Sequence, residues 1–212
     1  MPEAHIEMEA EDGCIDAFAV CPDGAGPWPP ILLLSDSRGL RPAVEAMARR
    51  LAGEGCFVLA PNLFYRTGAG SSADARRAAV ALRLAAVHAE RIAAAAVFYG
   101  GRPSPAEAHH LAGCVNAVLH LGHAAGGGAE DGVLEAALRR EGVDFESLVY
   151  PAPRGFAVPD HPGYEPAAAE RHWTNLTELF HRTLILSNFD VPDPAGRSED
   201  GILPPGTTGS LL

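Results

Sequence analysis

Hydrophobic and polar residues alternate at the start of the chain. His5-Ile6-Glu7-Met8-Glu9-Ala10 and Cys14-Ile15-Asp16-Ala17-Phe18-Ala19-Val20 both repeat with period two around Asp12-Gly13. That pattern predicts a β-hairpin. The period then changes. Residues 31–34 form an unbroken apolar run, as in a strand covered on both faces. Residues 42–53 place Val44, Met47, Ala48 and Leu51 on one helical stripe, and 56–60 are apolar again up to Pro61. Strand, helix and strand within about 30 residues make a βαβ unit. Apolar runs over 92–99, 115–121 and 143–150 predict further strands. Helices are predicted from Ser71-Ser72-Ala73-Asp74 to about His88, over 131–141, and over 165–184 through Trp173, Leu176, Leu179 and Phe180. Alternating strands and helices imply an α/β fold, a mainly parallel sheet wound on both faces. Residues 1–184 read as one domain. Residues 185–212 read as an extension, apolar from Leu184 to Val191 and then rich in Pro and Gly. It is expected to dock on the domain or on a second copy of the chain.

Composition narrows the function. Of 212 residues, 47% are hydrophobic and 20% charged, enough apolar material for a sizeable core. The net charge is −11 and every one of the 16 basic residues is Arg, so the basic footprint of a nucleic-acid binder is missing. No apolar run reaches the roughly 18 residues that span a bilayer. Met1-Pro2-Glu3-Ala4-His5 lacks the basic-then-apolar pattern of a signal peptide, so a cytoplasmic location is expected. Cys14, Cys21, Cys56 and Cys114 have no metal-site spacing and are expected to be buried thiols. His109-His110 lacks a third ligand at useful spacing, so no metal or cofactor is expected.

Several blocks carry a family resemblance. They are 32–42 (Leu-Leu-Leu-Ser-Asp-Ser-Arg-Gly-Leu-Arg-Pro), 50–55, 59–66 (Leu-Ala-Pro-Asn-Leu-Phe-Tyr-Arg), 91–101, Gly155-Phe156-Ala157-Val158-Pro159-Asp160, and Ala168-Ala169-Glu170-Arg171-His172-Trp173. In this order they resemble the dienelactone hydrolase family of α/β-hydrolases. The resemblance implies a Cys-His-Asp triad that hydrolyses small lactones and esters, with the nucleophile in a Gly-x-Cys-x-Gly elbow between a central strand and a helix. Carried over position by position, the nucleophile falls on Ala75, the acid on Ala125 and the base on Arg154. The elbow glycines and the apolar strand before them are also absent, so a strand-elbow-helix segment on the order of 30 residues is expected to be missing. Arg keeps its proton in any protein and cannot act as a general base. Together the three replacements argue against an acyl-enzyme route.

The remaining chemistry points to proton transfer. Asp36 matches an acidic family residue at the end of the first βαβ strand, where open α/β sheets bind ligands. It is either a free general base or a carboxylate capping the following helix. His123 and Tyr99 end later strands and complete the catalytic candidates. Ser37, Arg38, Tyr65, Arg66, Arg154 and Phe156 are the expected ligand-binding residues, with Arg154 suited to an anion or to a salt bridge with Asp36 or Asp160. The expected function is cyclisation, isomerisation or dehydration of a small oxygenated, anionic molecule, with specialised metabolism as a natural setting. Two other readings stand beside it: a non-catalytic binding protein, and a hydrolase with a relocated nucleophile at Ser72, a residue that also suits a helix cap. A small-molecule ligand and a second copy of the chain are the expected partners; nucleic acid and membrane are not.

Overall fold

The alternating N-terminal segments form an antiparallel hairpin in the computed structural model. β1 (Glu3–Ala10) pairs with β2 (Gly13–Val20), from Glu3 opposite Val20 to Ala10 opposite Gly13. The inner strand buries Ala17, Phe18 and Val20. The outer strand keeps Glu3, Glu7 and Glu9 exposed, and charges of this kind blunt a sheet edge.

β4 (Phe57–Pro61) pairs antiparallel with β2 and parallel with β3 (Pro30–Leu32). Parallel neighbours need a crossover, and α1 (Pro42–Gly53) supplies it. The resulting order is β1-β2-β4-β3. A second sheet is wholly parallel, in the order β5 (Ala94–Phe98), β6 (Val118–Ala124), β7 (Phe145–Tyr150). α2 (Asp131–Arg140) leads from β6 to β7 and is followed by Gly142 at φ +70°, a left-handed conformation that glycine adopts without a Cβ penalty. α3 (Pro166–Phe180) starts with Glu165, whose side chain accepts the Ala168 N–H, and has Pro at its first position. The structure describes residues 1–66 apart from 12 and 37, then 84, 87–88, 91–98, 118–124 and 131–185, with backbone alone for 97–98, 118–124, 131–134 and 185.

One core joins the two sheets. α1 buries Val44, Ala48, Leu51 and Ala52 against Phe18, Val20, Ile31 and Val58, and α3 adds Trp173 and Leu176. Ala96 of β5 packs against the same core. A second cluster holds Tyr150, Ala152, Phe156, Ala157 and Ala168. Arg50 of α1 forks onto Glu170 of α3 at 2.8 Å through each nitrogen and lies over the Trp173 ring.

The fold is α/β, as the periodicity predicts, with differences at element ends. β3 stops at Leu32, two residues early, where the chain leaves the sheet towards Asp36. β6 runs past Gly122 to Ala124. The last helix changes to a π-helical turn over His181–Ile185, where the Thr183 hydroxyl donates to the Leu179 carbonyl at 2.7 Å and competes with the regular ladder. Among the described residues the strands fall into two sheets, not one. The cysteine expectation needs correcting. Cys56 is buried, but Cys14 is exposed and Cys21 half-buried, because β2 turns Cys14 outward beside Glu7. Cys114 lies outside the described residues, as do Ser37, Ser72, Ala75, Tyr99, His109, His110, Ala125 and most of the C-terminal extension. Leu184, where the extension's apolar run begins, is in the core.

Candidate functional site

The carboxyl ends of β3 and β7 lie on the same side of the molecule, tied together by one guanidinium. Arg41, the residue preceding α1, donates from Nη1 and Nη2 to the Asp36 carboxylate at 2.6 and 2.9 Å. It donates from Nε and Nη2 to the Asp160 carboxylate at 2.7 and 2.9 Å, and from Nη1 to the Gly39 carbonyl at 3.0 Å. A guanidinium has five N–H donors, and here all five are committed. Only 12% of the Arg41 side chain is exposed, against 34% for each aspartate. The hydrogen bonds to Asp160 and Asp36 hold Arg41 above its ordinary value, and the bond from Arg41 holds the Asp160 carboxyl below its own.

Arg38 closes the cluster. Its backbone N–H donates to Asp36 Oδ1 at 3.0 Å, and its Nη1 reaches the Asp160 carbonyl at 2.9 Å and Asp160 Oδ2 at 3.2 Å. Asp36 is therefore not a free general base. It is one jaw of an Asp-Arg-Asp clasp, and the helix-capping alternative also fails, because α1 has no side-chain cap. Ser35, one residue earlier, is buried, and its hydroxyl has no hydrogen-bond partner among the described residues.

The loop after β7 supplies the opposite jaw. It is a series of tight turns: Phe156 N–H to Pro153 O, Val158 N–H to Gly155 O, His161 N–H to Val158 O and Tyr164 N–H to His161 O. Gly155 sits at φ +90°, and a Cβ there would come within 1.9 Å of His161 Nδ1. The His161 ring thus occupies the space a side chain at 155 would need. Its Nδ1 accepts the Gly163 N–H at 3.0 Å.

The other predicted residues are distributed as follows. Arg154 is exposed on this loop and makes no ion pair among the described residues; the salt bridge expected of it belongs to Arg41, whose fork reaches both aspartates. Phe156 is fully buried in the second core cluster, its ring centroid 4.8 Å from that of Tyr150. Tyr65 and Arg66 pair with each other: Arg66 Nε donates to the Tyr65 hydroxyl at 2.8 Å, and the Tyr65 ring lies against Gly13 at the hairpin turn. Asn62 holds that loop to Asp16 of β2. His123 is the next-to-last residue of β6, in register with Val149 of β7. His172 is buried in contact with Tyr150, Phe156 and Trp173, a packing role.

Sequence reasoning missed Arg41, Asp160 as a clasp partner, and His161. Arg41 did carry a signal, since a cation just before Pro42 at a helix start opposes the helix dipole and needs a compensating anion. Burial pushes the Cys56 thiol up to about 11, so it remains a thiol at neutral pH and is a poor nucleophile. Among the described residues no group of side chains is arranged to hold a metal ion, and no helix is long and apolar enough to cross a membrane.

Known proteins place this architecture. A crystal structure assigned as a dienelactone hydrolase from Klebsiella pneumoniae subsp. pneumoniae MGH 78578 superposes with TM-score 0.73 at 19% identity, over 85% of this chain and 98% of that one. A dienelactone hydrolase-like promiscuous phosphotriesterase from metagenomic libraries gives TM-score 0.71 at 19% identity, over 86% of this chain and 98% of that one. At such identities the likeness is one of fold. A protein of Methylorubrum extorquens named as a carboxymethylenebutenolidase is 36% identical over 63 residues, which is 30% of this chain and only 22% of that protein's length. The model of the dienelactone hydrolase family matches residues 15–82 and 78–184, and the chain belongs to that family.

Proposed function

We propose that this family member acts on a small, oxygenated, anionic molecule at the carboxyl edge of the sheets without forming a covalent intermediate. The observation that carries this reading is the loop after β7. The position matching the family's general base is Arg154, an exposed cation that cannot accept a proton. Asp36 is engaged by the Arg41 guanidinium and by the Arg38 N–H. A nucleophile at Ala75 would lack both its own heteroatom and a base to activate it. Proton transfer then falls to His123 and Tyr99, at the ends of β6 and of the 92–99 run. Asp36 contributes charge and position. The family's activity on lactones and esters fits the substrate as an oxygenated acyl compound; the chemistry we assign is cyclisation, isomerisation or dehydration.

The test is incubation of the full chain with a panel of lactones, enol acids and β-hydroxy acids in D2O, followed by NMR. The expected result is deuterium incorporation or isomer formation at carbon acids, without ester turnover. Ester hydrolysis with burst kinetics would overturn the reading and restore a covalent route, with Ser72 as its first candidate.

A further inference from the structure

We infer that Arg38 and His161 form a binding fork for a small oxyanion beside the clasp. The two residues adjoin, because the carbonyl that Arg38 Nη1 contacts at 2.9 Å belongs to the peptide link between Asp160 and His161. Both side chains have donors to spare. Arg38 is about half exposed, and its Nε and Nη2 have no partner among the described residues. The His161 ring is fixed from below by Gly155 and from the side by the Gly163 N–H. Because Nδ1 accepts that bond, the neutral ring carries its proton on Nε2. That N–H has no partner among the described residues. A turn-building role explains Nδ1 but leaves Nε2 and the Arg38 donors unused.

Charge supports the same ligand. Arg41 is neutralised by two aspartates, Arg38 shares one of them, and Arg154 has no ion pair among the described residues. Arg154 adds an exposed cation to the loop that carries Asp160 and, at its end, Glu165, in a chain of net charge −11. Planar Arg donors beside an imidazole N–H suit the oxygens of a carboxylate or a phosphate. The buried Ser35 hydroxyl, one residue before Asp36, is a further donor without a partner among the described residues. The inference rests on the proposed function only in assuming that ligands meet this edge, and it stands or falls on binding alone.

The experiment uses the full chain at low ionic strength, titrated with acetate, inorganic phosphate and, as control, chloride, while the 15N and 1H signals of the His161 imidazole are followed. A saturable shift with acetate or phosphate but not with chloride is expected, and the stronger of the two names the ligand class. Asparagine at 161 keeps an acceptor for the Gly163 N–H but removes the Nε2 donor. In His161→Asn and in Arg38→Gln, calorimetry should show binding weakened by about tenfold each. No saturable shift up to about 100 mM would overturn the fork, as would unchanged affinity in either variant. Binding without turnover in the D2O panel would overturn the proposed function and leave the fork intact; turnover without oxyanion binding would do the reverse.

Discussion

A single guanidinium organises this site, and its removal has a calculable consequence. Arg41→Met would leave Asp36 without its guanidinium partner and Asp160 with Arg38 as its remaining counter-charge among the described residues. Breaking one partner from a buried network costs about 3–5 kcal/mol, and partial exposure of both aspartates lowers the expectation to about 1–3 kcal/mol at neutral pH. The pH dependence follows from Asp160. Its carboxyl is held below the ordinary 3.8 chiefly by the hydrogen bond from Arg41. A group with a lowered folded pKa binds protons more readily when unfolded, so its contribution is complete above 3.8 and is lost as pH falls through the lowered value. Urea unfolding of wild type and Arg41→Met should therefore differ most near neutrality and converge below about pH 4. An equal difference at both pH values would show that the clasp contributes through packing, not charge. Ser35→Ala removes a buried hydroxyl that has no partner among the described residues. Such a change should be neutral or stabilise by up to about 1 kcal/mol. A loss above about 1 kcal/mol would assign Ser35 a structural bond instead.

The loop between β7 and α3 is the element on which the site turns. Gly155→Ala would strain a positive φ and drive a methyl into the His161 ring. The expected cost is about 2 kcal/mol or more in unfolding free energy, with the His161 imidazole signals displaced. A variant of wild-type stability with unmoved signals would mean that the ring does not rest on Gly155. Most of the described helices and strands were legible from spacing, with ends shifted by a few residues, while the helix expected from Ser71 to about His88 lies largely outside the described residues. α1 begins and ends where Pro42 and Gly53 predict, and the hairpin register follows from the alternation around Gly13. The site was less legible. Asp36, Arg38, Arg154 and Asp160 all lie in recognisable blocks, but which arginine meets which carboxylate depends on how the ends of β3 and β7 come together. Sequence separation hides that contact, since Arg41 and Asp160 are 119 residues apart. Phe156 misled for a related reason: a large aromatic beside a candidate loop reads equally well as pocket wall and as core.

At the scale of the whole molecule, the chain keeps a scaffold of the dienelactone hydrolase family, and in the proposed reading Ala75, Ala125 and Arg154 stand at its reactive positions. The expected missing segment falls between β4 and β5 in the chain, and the described strands divide into two sheets whose side chains share one core through Ala96. The loops after β3 and β7 meet through the Arg41 clasp. The central claim is that no covalent acyl transfer occurs there. The most direct measurement is intact-mass analysis of the full chain after exposure to a fluorophosphonate and a β-lactone probe. The account predicts an unmodified mass with both. A stoichiometric adduct, mapped by peptide fragmentation to Ser72 or to a cysteine, would contradict it.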